Sequence, residues 1–302
     1  MTVLFLMIAI GFLLGKIGFL PKSGASILAK LENAVFVPCL ILGTFIPKFS
    51  IAQLGAVWQL LLVSCGLALL TVPIGVFGAK LLAKDRYRRN VIAYGLVFPN
   101  FGFMGNAVFA ALFPESFWKY LLFTFPFWIL LYGWGVPTLL ISGGEEQVSA
   151  KERFKNFLNP MCIAMLIGMA LGLLQVRLPE SVMGVINTLG DCMSPIAMLL
   201  TGLTVSQIKF KETFSDVGIY TATAVRLLLI PALILALFAL LPIPREFMIY
   251  AVCFVSMPLG LNIIVIPAAY GRDTSSASGM VLVSHALSCL TIPIVFAISN
   301  LL

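Results

Sequence analysis

The amino-acid sequence predicts an all-α polytopic membrane protein of ten transmembrane helices in two inverted five-helix repeats, and three observations carry that prediction. The chain of 302 residues is 61% hydrophobic and only 10% charged, with a mean hydropathy of +1.08, more apolar surface than one soluble core can hide. Ten apolar stretches lie between the charges, each near the ~20 residues of helix that a hydrocarbon core of ~30 Å requires. A polar connector, SGGEEQVSAKERFKN at 142–156, divides them five and five, so the second set enters the membrane from the side opposite to the first.

The expected spans are 2–20, 29–47, 54–79, 91–113, 118–141, 160–176, 182–205, 217–241, 247–270 and 278–300. They give a first repeat at 1–141, a cytoplasmic linker at 142–158 and a second repeat at 159–302, with no extramembrane domain to house separate chemistry. The first basic residue is Lys16, so no charged leader precedes the first apolar run and the first helix is expected to stay. Cys39, Cys65, Cys162, Cys192, Cys253 and Cys289 all fall in apolar spans without a CxxC pair. Free thiols are expected, with no metal site and no cofactor.

The net charge of +7 is a topology signal. Odd-numbered connectors carry fourteen of the 19 Lys and Arg residues, even-numbered ones carry Lys48, Lys119, Arg177 and Arg245, and Arg226 lies inside a span. The positive-inside rule puts the odd connectors in the cytoplasm and both termini outside a plasma (inner) membrane. KDRYRR at 84–89 reads as a cytoplasmic anchor against membrane lipid, and no nucleic-acid function follows.

Two of the apolar spans carry residues that lipid would leave unsatisfied. The fourth holds VFPNFGFMGN and the ninth holds SMPLGLNIIV, with Pro99 matching Pro258 and a glycine and an asparagine after each proline. Proline removes a backbone donor and blocks the carbonyl four residues earlier, freeing backbone groups near mid-membrane. Glycine permits close backbone approach, and asparagine supplies donor and acceptor without a buried charge. Gly/Pro-interrupted segments at matching places in two halves point to a transporter site. The residues expected at that site are Asn100, Gly102, Gly105, Asn106, Gly260 and Asn262, with the helix breaks at Pro99 and Pro258. Positive half-helix ends converging there would suit a carboxylate.

These motifs, with RLLLIPALI in the eighth span, resemble the auxin efflux carrier family of permeases, relatives of the plant PIN auxin carriers, over essentially the whole chain. The resemblance implies an arrangement similar to the bile acid/sodium symporter fold, with the fourth and ninth helices crossing at the substrate site. Spans 1, 2, 6 and 7 would form a scaffold, through which a homodimer would assemble, and spans 3–5 and 8–10 a mobile transport domain. It implies secondary transport of small organic anions such as malate, malonate or indole acetate. The chain lacks the long central loop of many plant members, which points away from a plant hormone role.

Ionisable residues inside spans are functional candidates. Asp191 and Arg226 each lie roughly 13 Å deep at 1.5 Å per residue, which allows two readings: an ion pair between scaffold and transport domain, or Asp191 bonded to helix backbone with Arg226 extending to the inner headgroups. Glu32 and Asn33 are the first-half counterparts of Asp191, and Glu32 is expected near the inner interface, in water. His285, the single histidine, is a further coupling candidate. The coupling ion would be H+ or Na+, and a Na+-coupled symporter of a bile-acid-like solute is the alternative transport reading. An intramembrane hydrolase is disfavoured because Ser284 and His285 are adjacent on a helix and point ~100° apart, with no GxSxG elbow. A channel is disfavoured because polarity is concentrated at two breaks, not in repeated rings.

Overall fold

The computed structural model describes residues 2–21, 23–141, 158–207 and 216–302. The connector at 142–156 lies outside them. The described residues form helices: α1 (Thr2–Lys16), α2 (Gly24–Lys48), α3 (Leu54–Leu82), α4 (Arg86–Val97), α5 (Phe101–Leu112), α6 (Pro114–Ile141), α7 (Pro160–Leu173), α8 (Glu180–Ser206), α9 (Val217–Leu240), α10 (Arg245–Ser256), α11 (Asn262–Ala269) and α12 (Ser275–Leu301). Six of them, α2, α3, α6, α8, α9 and α12, are long and apolar enough to cross a membrane. The fourth and ninth apolar stretches each become two helices, because their central prolines stop α4 at Val97 and α10 at Ser256. Large side chains such as Leu69 (78% exposed) and Leu240 (83% exposed) face outward, as lipid-facing positions do.

Proline also shapes the unbroken helices. Pro38 in α2 and Pro231 in α9 each stand two residues beyond a five-residue π-helical turn, Glu32–Phe36 and Val225–Leu229. Each ring denies the helix its bond to the carbonyl four residues back, and a widened turn absorbs the mismatch. Such π-turns recur at functional sites. Here they carry Glu32, Asn33 and Arg226.

The chain divides into two compact units, each drawing on both halves of the sequence. The first comprises residues 1–61, 106–123 and 155–207. In it α1 packs along α8, and α2 packs against α7 and α8. Gly202 makes the α1–α8 contact possible, since a Cβ there would strike the Ile8 carbonyl oxygen; small residues are what let membrane helices approach this closely. Its core includes Ile41, Phe45, Phe49, Trp118, Met165 and Met198.

The second unit comprises residues 62–105, 124–154 and 208–302. It contains α4, α9, α10, α11 and α12, with α9, α10 and α12 in mutual contact and α4 against the π-helical end of α6. Aromatic rings fill its centre: Phe101 lies 4.5 Å from Trp128 and 5.0 Å from Phe254, and Phe127 lies 4.0 Å from Phe254, centroid to centroid. They surround the first turn of α5.

Candidate functional site

The two interruptions meet inside the second unit. Residues 98–100, after α4, run antiparallel to residues 257–261, after α10, and Pro99 pairs with Leu259. The Asn100 N–H donates to the Pro258 carbonyl at 2.8 Å, so the acceptor of one break takes the donor of the other. Proline is tolerated at both places because neither is asked to donate. Gly260 lies at the closest approach: a Cβ there would sit 3.1 Å from the Phe98 carbonyl oxygen and 3.3 Å from that of Pro99.

Helix α12 supplies further partners. Ser284 Oγ accepts the Leu259 N–H at 3.3 Å and donates to the Val281 carbonyl. His285 is buried, with Nδ1 2.9 Å from the Val281 carbonyl oxygen and Nε2 3.1 Å from Asn100 Nδ2. A carbonyl can only accept, so Nδ1 carries the proton and Nε2 accepts from the Asn100 amide. Ser284 and His285 thus serve opposite breaks and form no nucleophile–base pair. Sequence reasoning did not identify Ser284 as a partner of the Leu259 amide; its place in α12, beside His285, was the only signal available.

The asparagines differ in state. Asn100 is 3% exposed; its side chain is oriented by His285, and its carbonyl accepts the Gly105 N–H at 2.9 Å, closing the π-turn that starts α5. Asn262, the first residue of α11, donates through Nδ2 to the Tyr94 hydroxyl at 3.1 Å. Asn106 belongs to the first unit, where its amide is buried and neither Nδ2 nor Oδ1 has a partner among the described residues. Gly102 lies against the Trp128 ring, and the Gly105 carbonyl faces Cys253 Sγ at 3.9 Å.

The charged candidates lie differently from the expectation. Arg226 is fully buried, and its guanidinium donates to carbonyl oxygens of its own unit, those of Leu96, Phe254, Val255 and Met257. Asp191 belongs to the first unit and is exposed. Ion pairs among the described residues include Lys48–Glu115 and Arg88–Asp216. The backbone acceptors that Arg226 uses exist only because two helices stop beside it, which depth along the chain does not report. Glu32 corrects the expectation of a solvated carboxylate: it is fully buried in the first unit, and neither oxygen has a partner among the described residues. Its neighbour Asn33 is the exposed one and bonds the Ala29 carbonyl at 2.8 Å. The widened turn rotates the pair relative to a regular helix.

At the basic end of the second unit, a cavity of about 420 Å³ is lined by Asp85, Tyr87, Arg88, Asp216, Asp273 and Ser275, among others. Asp85 caps α4 by accepting the Arg88 N–H, and Asp216 caps α9 by accepting the Gly218 N–H and pairs with the Arg88 guanidinium. Hydrogen bonds from the Ser275 N–H and hydroxyl hold the Asp273 carboxyl below its usual range. Within the basic cluster read as a membrane anchor, Arg88 is therefore a tie between helices. Among the described residues, no three His, Cys, Asp or Glu side chains gather as a metal site, and all six cysteines are free.

Compared with known families, residues 1–296 match the model described as Membrane transport protein. No curated protein matches the chain.

Proposed function

This chain belongs to the membrane transport protein family, the auxin efflux carrier family, and from that premise we propose that it is a secondary active transporter of small organic anions. It is a multi-pass membrane protein of a transporter family and not of an enzyme family. Carboxylates such as malate or malonate, or an auxin-like aromatic acid, are the substrates proposed. The observation that carries the reading is the pairing of the two interruptions at Pro99 and Leu259, beyond which α5 and α11 each begin anew beside a neutral amide, Asn100 and Asn262. Each helix start presents the equivalent of about half a positive charge, so two of them offset about one carboxylate.

In this proposal ten spans form two inverted repeats, both termini lie outside, and the chain pairs through its scaffold. Spans 3–5 and 8–10 shift as an elevator, moving the crossed helices and the substrate together. Asn100 and Asn262 contact substrate, and Gly102, Gly105 and Gly260 let its carboxylate approach the backbone. Asp191, Glu32, Asn33 and His285 remain candidates for coupling to H+ or Na+.

The test is uptake of labelled malonate and malate into proteoliposomes under a pH gradient, a Na+ gradient or neither, with Asn100→Ala alongside. Saturable uptake that the substitution abolishes is expected, and the gradient that drives it names the coupling ion. Absence of uptake under every gradient, from protein shown to be folded, overturns the dicarboxylate reading and leaves aromatic acids to be tried.

A further inference from the structure

Arg226 has a full positive charge, no exposure to solvent, and, among the described residues, only carbonyl oxygens as hydrogen-bond partners. Nε donates to Met257 O at 3.0 Å, Nη1 to Leu96 O at 2.8 Å, and Nη2 to Phe254 O at 3.2 Å and Val255 O at 2.8 Å. A buried guanidinium without such partners would be prohibitively costly. What matters is which carbonyls these are.

Leu96 lies in the last turn of α4; Phe254 and Val255 lie in the last turn of α10, and Met257 follows it. The last carbonyls of a helix have no partner within it, and each such end behaves as about half a negative charge. Two ends sum to about one negative charge, which one guanidinium cancels. Unwound carbonyls and half-helix C-termini are the groups with which broken-helix transporters coordinate a bound cation. Here a side chain from a third helix, α9, fills that role with a planar fork of donors reaching both ends at once.

We propose that Arg226 is the resident cation of the crossover. It is a positioning residue that joins the C-terminal ends of α4 and α10, keeps the two interruptions in register, and leaves the opposite, positive helix starts as the only uncompensated ends. An anion then meets a site whose negative half is already neutralised. These carbonyls need no exogenous cation while the guanidinium is present. Removing it leaves a guanidinium-sized space lined by four acceptors.

The test is chemical rescue. Arg226→Ala is purified in detergent and its thermal unfolding is followed with and without millimolar guanidinium, methylguanidinium, Na+ or choline. The expected result is a lowered midpoint in the variant, partly recovered by guanidinium or methylguanidinium and not by choline, with the native protein indifferent to all four. A folded variant that none of the cations shifts, or whose midpoint equals the native one, overturns the proposal.

Should Arg226→Ala fail to fold, Lys and Met at the same position decide. Lys retains the charge and loses the fork, whereas Met retains much of the length and loses the charge. Lys is expected to be the more stable by several degrees; equal midpoints, or Met above Lys, overturn the assignment. The proposal rests on the carrier reading only where transport is assayed. Failed uptake by native protein counts against that reading, while the unfolding series tests Arg226 by itself.

Discussion

Glu32 carries a carboxyl group buried without a partner among the described residues, a situation that costs at least about 1–3 kcal/mol for an unsatisfied group. Glu32→Met, flexible enough to fill the same space, is therefore expected to raise the unfolding midpoint in detergent, and Glu32→Gln to raise it less. A fall on either substitution would reveal a partner bound to the carboxylate, such as a coupling cation. His285 makes the complementary case. Its bond to Asn100 has a net worth of about 0.5–1.5 kcal/mol, so His285→Ala is expected to weaken substrate affinity by about 2- to 12-fold and leave a folded protein. Loss of binding beyond about a hundredfold would mean that the imidazole does more than orient an amide. Neither partner set was legible in the sequence. Periodicity places a residue on a helix, but the widened turn before Pro38 changes which face it presents.

At the scale of the element, the interruptions themselves were legible, because Pro99 and Pro258 act through local covalent geometry that needs no tertiary context. Their joining was not: the Asn100–Pro258 hydrogen bond spans 158 positions of sequence. Gly260→Ala tests that junction. The added Cβ would press on backbone oxygens at 3.1 and 3.3 Å, and such overpacking costs about 1–3 kcal/mol, so the variant is expected to unfold earlier and to lose uptake. Gly202→Val in the first unit is expected to destabilise by a similar ~1–3 kcal/mol through the α1–α8 contact, read by the same melting experiment. Equal stability of Gly202→Val and native protein would show that α1 and α8 can separate without cost.

For the whole molecule, composition and charge asymmetry make claims that a membrane assay can check. In a cysteine-free background, a cysteine at Arg177 is expected to react with a membrane-impermeant thiol reagent added outside intact cells, and one at Lys84 to react only after permeabilisation. The reverse pattern would invert the orientation drawn from the basic residues. The ten stretches foreseen from hydropathy coincide with helices or with pairs of helices, since the hydrophobic run length needed to cross a bilayer is a property of the chain alone. How those helices group is not. The second part of α5 clusters with the first unit and its π-helical first turn with the second, and this division depends on which side chains pack together.

By itself the sequence determined that this is a multi-pass helical membrane protein, where two of its helices break, and which amides stand beside the breaks. Those properties follow from transfer free energy and from the fixed geometry of proline, both local. Only the tertiary structure decided that the breaks face each other, that Ser284 and His285 complete them, that Glu32 is buried, and that Arg226 meets helix ends. The physical reason is that a helix end becomes a cation site, and a buried group becomes an orphan, only through neighbours brought from distant parts of the chain.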